Sequence, residues 1–214
     1  MTKDELVALL ERYRIPYKTW LKHSGKSIEH LLVELEKGEA KLVEKQLPTR
    51  RGSKKLVREI RTVLVRIYID LDRDGRIVRH TLEELKRRKD GQWHRRKVQQ
   101  ASISEKMLPE ETVHQAILRA FAEELGLART DTGASITLAD LVTLQFHTLP
   151  KSRSFDKSGS FPGLYNENRL EFATWVMPKV FYRPEYREHR NGTLTSFFRW
   201  HDVARKEATS ILYG

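Results

Sequence analysis

The sequence contains no cysteine, and this absence excludes several kinds of site at once. Among its 214 residues there is no thiol, so disulfide bonds, thiolate nucleophiles and cysteine-ligated zinc or iron–sulfur centres are excluded. No apolar run approaches the length that spans a bilayer, and the first residues lack the apolar stretch of a signal peptide. These absences predict a soluble cytoplasmic protein with no membrane partner.

Positive charge is concentrated in the middle of the chain. Residues 41–100 carry 19 basic and 8 acidic side chains and so account for the whole net charge of +11, because the flanking segments are balanced. Concentrated positive charge attracts anions through steering and counterion release. The distribution favours a phosphorylated ligand or RNA as the partner. The alternative is a solvated surface that aids solubility.

Two short helices are predicted before residue 40. Thr2 and Glu5 form a capping-box pattern, and Ser27 begins a second apolar-periodic segment that Gly38 closes. A segment of about forty residues is too short to hold a core alone. We therefore expect residues 1–47 to be an N-terminal helical appendage and linker that packs on a main domain, residues 48–214.

Alternating apolar residues predict a meander of strands in the main domain. Val63, Val65, Ile67 and Ile69 share one face of the first strand, and an Asp-Gly turn leads to the next one. The full order predicted is a basic linker over 48–55, strands over 56–70, 77–85 and 93–101, a short helix or strand over 137–149, a loop over 152–163, strands over 169–178 and 193–200, and a final helix over 202–212.

The most specific pattern lies at residues 111–127. Apolar residues recur there at three- and four-residue steps, which predicts an amphipathic helix. Arg119 lies four residues before Glu123, within ion-pair reach, and Gly126 is the type of residue that ends a helix in the left-handed conformation. The adjacent carboxylates of Glu123 and Glu124, with Arg119 behind them, suit a hard cation such as magnesium.

This pattern resembles the Nudix box, which runs from a glycine to an aliphatic residue over 23 positions. Two positions depart from it: Glu105 stands where the family has glycine, and Ala120 stands where the family has the glutamate that follows the arginine. The resemblance implies an α/β fold, namely a Nudix-like α/β/α sandwich with a mixed sheet. Six residues match at the family spacing: Glu111, Arg119, Glu123, Glu124, Gly126 and Leu127.

The resemblance also implies a catalytic set. In the family the box carboxylates bind magnesium or manganese, which neutralises a diphosphate and activates water. Carried over to this chain, Glu123 and Glu124 are the metal ligands, Arg119 orients Glu123, and Glu111 braces the loop. The carboxylate absent at Ala120 is ordinarily a ligand or base, and losing one commonly costs a factor of roughly 100 to 10,000 in rate.

Four residues are the candidates for binding a phosphate or nucleotide. Strand alternation would send Trp93, Arg95 and Lys97 to one face, and arginine both chelates phosphate and stacks on bases. Lys106, beside the box loop, completes the set. The alternative is an exposed basic strand.

A second resemblance is weaker and bears on the fold alone. Segments of this chain look like Nudix-like proteins of cyanobacteria, algae and fungi. The segments that carry it are Ser104-Glu105-Lys106-Met107, Ser154-Phe155, Ser160-Phe161-Pro162-Gly163-Leu164 and Phe197-Phe198-Arg199-Trp200.

The sequence is compatible with three functions. The first is a degenerate Nudix-fold protein that binds a nucleotide diphosphate or an RNA phosphate with weak or no hydrolysis. The second is an active pyrophosphohydrolase that depends on magnesium or manganese, in which Glu105, Glu185 or Glu188 replaces the lost carboxylate. The third is a non-catalytic module that docks on a protein partner.

Overall fold

The computed structural model describes most of the chain, which forms two compact units. The first unit consists of Met1–Thr62, Lys106–Glu111 and Leu149–Glu171, and the second of Val63–Glu105, Thr112–Thr148 and Phe172–Gly214. The described residues are 1–46, 54–87, 91–95, 101–127, 135–149, 152–190 and 193–203, with the backbone alone for 86–87, 94–95, 189–190 and 193–195.

The N-terminal helices of the first unit begin at the predicted caps. The Thr2 hydroxyl accepts from the Glu5 amide at 3.2 Å, and the Glu5 carboxylate accepts from the Thr2 amide at 2.7 Å. These bonds satisfy amide groups that the first helical turn leaves without a partner. Both predicted helices are confirmed, and a short third one lies between them. The helices are α1 (Lys3–Arg12), α2 (Trp20–Ser24) and α3 (Ile28–Glu36).

An apolar core holds these helices against a loop from later in the chain. Leu6, Leu10 and Leu31 are fully buried together with Trp20 and Phe161. The rings of Trp20 and Phe161 lie 5.0 Å apart, and the Trp20 indole N–H donates to the Pro162 carbonyl at 2.7 Å. Burial of this apolar surface is the main stabilising term for helices that are too short to be stable alone.

Strands of the first unit occupy two segments that were predicted to be irregular. β1 (Lys41–Gln46) pairs with the start of β2 (Lys54–Arg73) in antiparallel register, with Lys41 opposite Glu59. The predicted linker over 48–55 is therefore wrong for its last two residues, and residues 48–53 lie outside the described part. The predicted loop over 152–163 is wrong in part, because β7 (Arg153–Lys157) pairs there with β8 (Tyr165–Val176).

The second unit is built on a mixed sheet whose strands run in the order β6 (Gln145–His147), β8, β2, β3 (Arg76–Arg87), β10 (Thr193–Asp202), β9 (Glu185–Arg190). The predicted hairpin is confirmed: Asp74 and Gly75 have φ values of +52° and +73°, which suit a tight turn. β4 (Trp93–Arg95) pairs with β3, and β5 (Ile103–Lys106) pairs with β2.

The central strand of this sheet is more buried than its alternation predicted. Val63, Val65, Ile67 and Ile69 are buried as expected, but so are the residues between them, including Arg66. Both faces of β2 are therefore covered along this stretch.

The α-helix among the described residues of the second unit is α4 (Val113–Leu125), and it contacts β9. The predicted final helix cannot begin at Asp202, because β10 ends there, and residues 204–212 lie outside the described part. The mixed sheet with few helices confirms the predicted α/β class. The predicted domain boundary between residues 47 and 48 also lies outside the described residues and stays a prediction. No described helix is long and apolar enough to cross a membrane.

Candidate functional site

The box helix α4 has well-defined ends. Thr112 and Gln115 form a reciprocal cap, in which the Thr112 amide donates to Gln115 Oε1 at 2.9 Å and the Gln115 amide donates to the Thr112 hydroxyl at 3.3 Å. Gly126 ends the helix in the left-handed region with φ +64°, a conformation that glycine adopts at little cost. One side of α4 is buried, and on it the Phe121 ring stacks on the Trp175 ring with the ring centres 4.6 Å apart.

Arg119 is the centre of an ion-pair cluster on the other side of α4. Its Nη1 donates to Glu105 Oε1 at 2.9 Å and lies 3.8 Å from Glu123 Oε2. Glu105 stands at the box position where a glycine was expected. The departure from the pattern thus places an additional carboxylate beside the box arginine, and one guanidinium interacts with two acids.

The two adjacent acids of the box lie in different environments. The Glu123 side chain is 60% exposed, whereas Glu124 is only 6% exposed. Successive residues of a helix point about 100° apart, so one of them can face solvent while the other faces the interior of the unit.

Ala120 lies on the buried side of α4 and is fully buried. Its neighbours along the helix, Ile117, Phe121 and Leu125, belong to the same apolar surface. The box position that carries a carboxylate in the Nudix pattern is therefore occupied by a buried methyl group, on the side of α4 that also buries Glu124.

The predicted helix at residues 111–127 needs a correction at its start. Glu111 precedes the capping residue Thr112 and is not part of α4. Its carboxylate accepts a hydrogen bond from the Leu108 amide at 3.0 Å, within the first unit. This position suits the loop-bracing role that the resemblance implies for Glu111.

Glu185 and Glu188, the acidic candidates in the last part of the sequence, also differ from each other in environment. Both belong to β9, which the sequence did not identify as a strand. Glu185 is paired with Arg187, whereas Glu188 is 6% exposed on the strand that α4 contacts. Of the described residues, no group of three or more histidine or acidic side chains is arranged to hold a metal ion.

The predicted phosphate-binding residues are only partly described. Trp93 lies on β4 with 38% of its surface exposed, and its ring contacts the Phe197 ring edge-on at 4.6 Å. The Arg95 side chain and the whole of Lys97 lie outside the described part. Lys106 is held by two carboxylates of the first unit, Glu34 at 2.6 Å and Glu39 at 3.2 Å.

Lys106 belongs to a buried ion-pair network in the first unit. Arg58, only 3% exposed, donates through Nε to Glu34 Oε2 at 3.0 Å and lies over the Phe161 ring at 5.2 Å. Burial raises the pKa of Glu34, but the charges and hydrogen bonds of Arg58 and Lys106 outweigh it and hold that pKa below its usual value.

Sequence reasoning missed a cavity of about 200 Å³ in the first unit. Its walls are residues 38–41, the β2 segment 59–61, Met107, Pro109 and Arg169. Lys41 and Arg61 are basic wall residues that lie on the face of Glu59, because Lys41 is its cross-strand neighbour and Arg61 is two residues further along β2. Once β1 is recognised as the partner of β2, this alternation becomes visible in the sequence.

Comparisons with known proteins give no close relative. No protein-family model matches the sequence, and no curated protein matches it. The structure is similar to a possible asymmetric diadenosine tetraphosphate hydrolase of Jonesia denitrificans, at 11% identity over 67% of this chain and 77% of that chain, with a TM-score of 0.35.

Two further solved structures are similar to a comparable degree. One is a C. elegans Ap4A hydrolase, at 15% identity over 72% of this chain and 85% of that chain, with a TM-score of 0.32. The other is a Nudix hydrolase from M. smegmatis, at 14% identity over 76% and 80%, with a TM-score of 0.33.

Proposed function

We propose that this protein is a Nudix-fold protein with a degenerate box, which binds the phosphates of a nucleotide diphosphate or of an RNA end with weak or no hydrolysis. One observation carries the proposal: Ala120 occupies the position of a box carboxylate, and its methyl group is fully buried. A buried methyl group can neither coordinate a cation nor accept a proton, and these are the two ways in which such a carboxylate assists attack by water.

The remaining box residues suit binding. Glu123 is exposed beside Arg119, and Glu124 follows it at the end of α4. Magnesium usually keeps several waters and is bound through one or two carboxylates together with the phosphates of a ligand. Glu123 and Glu124 would hold magnesium or manganese in this way, and the cation would neutralise part of the charge of the ligand phosphates.

A titration with two kinds of ligand tests the proposal. The protein is titrated with ADP and with a short RNA that carries a 5′ diphosphate, each with magnesium or manganese, and phosphate release is followed in the same samples. We expect micromolar affinity for at least one ligand and negligible release. Undetectable binding of both ligands would refute the proposal, and a difference between them identifies the ligand class.

A matched pair of variants assigns the binding to the box. Glu123→Gln should weaken the metal-dependent part of the affinity, because it removes one of the two carboxylates. Glu171→Gln makes the same charge change at an exposed position of β8 and should leave the affinity unaltered. Equal effects of the two changes would show that the box acids are not involved.

A second function, hydrolysis, is favoured by one observation. Glu105 lies 2.9 Å from Arg119, in the same cluster as Glu123, so it is a carboxylate that could replace the one absent at position 120. An active enzyme of this kind would release phosphate from a nucleoside diphosphate derivative. Glu124→Gln should then abolish turnover while the circular dichroism spectrum stays unchanged, and turnover that survives the substitution rules this mechanism out.

A further inference from the structure

The cavity of the first unit carries positive charge that no described carboxylate neutralises. Lys41, Arg61 and Arg169 belong to its wall, and across the described residues none of them lies within 4.0 Å of a carboxylate oxygen. Arg61 Nη1 lies 3.4 Å from the Pro109 carbonyl, a weak bond that orients the guanidinium. Its other N–H groups can bind a ligand.

The two acids in the wall are engaged by lysines of the same unit. Glu39 lies 3.2 Å from the Lys106 amine and 3.7 Å from the Lys37 amine. Glu59 lies 2.5 Å from the Lys45 amine, although Lys41 is its direct cross-strand neighbour. Lys106 and Lys45 are shared with Glu34 and Glu167, and these two acids also bind arginines of their own, Arg58 and Arg153. The network is therefore compensated as a whole, and an anion that enters the cavity meets the three remaining cations without an equal opposing charge.

A close approach of two backbone segments shapes this cavity. Gly38 has φ +73°, and a Cβ atom at this position would lie 2.5 Å from Pro109 Cγ. The turn after α3 can therefore pack against the Pro109 ring only because position 38 has no side chain.

We propose that this cavity is an anion site that takes a phosphate or diphosphate group, whether free or attached to a larger molecule. A volume of about 200 Å³ is below the roughly 300–1,000 Å³ of pockets for drug-sized ligands, so the cavity accommodates the phosphate group rather than a whole nucleotide. Arginine binds phosphate through paired N–H groups, and lysine adds a point charge. Met107 and Pro109 of its wall belong to the box segment, but neither Glu123 nor Glu124 lines the cavity, and the site goes beyond the function proposed above.

Titration calorimetry with inorganic diphosphate, in a buffer that contains EDTA, tests the proposal. We expect the wild-type protein to bind without metal, and Arg169→Gln and Lys41→Gln each to weaken the affinity about 10- to 100-fold, which corresponds to the loss of a charge-assisted hydrogen bond. Arg76→Gln is the control, because Arg76 is exposed at the β2–β3 turn and loses the same charge. Undetectable binding to the wild-type protein, or an equal loss in all three variants, overturns the proposal.

Amide chemical shifts distinguish this site from the one proposed at the box. Binding in the cavity should shift the resonances of Gly38 and Ala40 on addition of diphosphate, whereas ligand at the box should shift those of Glu123 and Gly126. Shifts confined to the box residues overturn the cavity proposal and leave the proposed function intact. Shifts confined to Gly38 and Ala40, even when ADP and magnesium are added, support the cavity and refute nucleotide binding at the box.

Discussion

Replacement of Arg58 by methionine should strongly destabilise the protein, because it leaves a buried carboxylate with only part of its compensation. Arg58 donates to Glu34 through Nε at 3.0 Å and through Nη2, and to Asn166 Oδ1 at 3.3 Å. In the variant, Glu34 keeps only the Lys106 amine at 2.6 Å. Breaking a buried ion pair by removing one partner typically costs about 3–5 kcal/mol.

A double variant separates the cost of the unpaired charge from the loss of packing. Arg58→Met combined with Glu34→Leu replaces the pair by apolar side chains, which is often close to neutral in free energy. We therefore expect urea unfolding at neutral pH to give a free energy of unfolding that is about 3–5 kcal/mol lower than wild type for the single variant and closer to wild type for the double variant. A double variant that is no more stable than the single one would refute the reasoning.

Acid titration checks the electrostatic part of the same prediction. The pKa of Glu34 is lowered in the folded protein, against burial, by Arg58 and Lys106. Its contribution to stability is therefore complete above the unfolded carboxyl pKa of 4.5 and is lost as the pH falls through the lower folded value. The wild-type protein should lose stability over this range, and a Glu34→Leu variant should lose less. Identical pH profiles would contradict the assignment.

Three further substitutions have expected outcomes that urea unfolding can measure. Gly126→Ala should lower the free energy of unfolding by about 1–2 kcal/mol because of the positive φ at this position. No clash adds to this cost, since a Cβ atom there would meet only Arg183 Nη1, at 3.9 Å. An unchanged free energy of unfolding would show that the helix end can change conformation. Gly38→Ala should cost more than Gly126→Ala, because it adds a clash with Pro109, and it should also weaken diphosphate binding. Ala120→Glu should lower the free energy of unfolding by at least the about 1–3 kcal/mol that overpacking costs, because position 120 is fully buried and the new carboxylate is desolvated as well; a variant as stable as wild type would contradict the buried position of residue 120.

The elements that the sequence predicted correctly are those specified by neighbouring residues. The capping box at Thr2 and the glycine at position 126 act within one helical turn, so their residue types are sufficient to place the start of α1 and the end of α4. The Asp-Gly turn at residues 74–75 is equally local.

The missed strands are specified by partners that are distant in sequence. β7 and β9 are short and polar, and their residues alternate little in hydrophobicity. β7 is stabilised by pairing with β8, where the buried Glu167 carboxylate binds Lys45 and Arg153. Burial raises the pKa of Glu167, but the hydrogen bonds and charges of these two cations outweigh it and hold that pKa below its usual value. The Lys45–Glu167 interaction cannot be predicted from any short segment of the sequence, because Lys45 lies 122 residues before Glu167.

The same distinction between local and distant interactions explains which parts of the site were predictable. The spacing of Arg119 and Glu123 on one helix was sufficient to predict their ion pair, and the pair forms at 3.8 Å. Whether Lys106 has capacity to bind phosphate depends instead on Glu34 and Glu39, which approach it from 72 and 67 residues away in the sequence. Both carboxylates lie within ion-pair distance of the amine, so a phosphate at Lys106 must compete with two acids that are already in place. Lys41, Arg61 and Arg169 have no such competitor among the described residues, and this is why the cavity is the stronger anion site of the first unit.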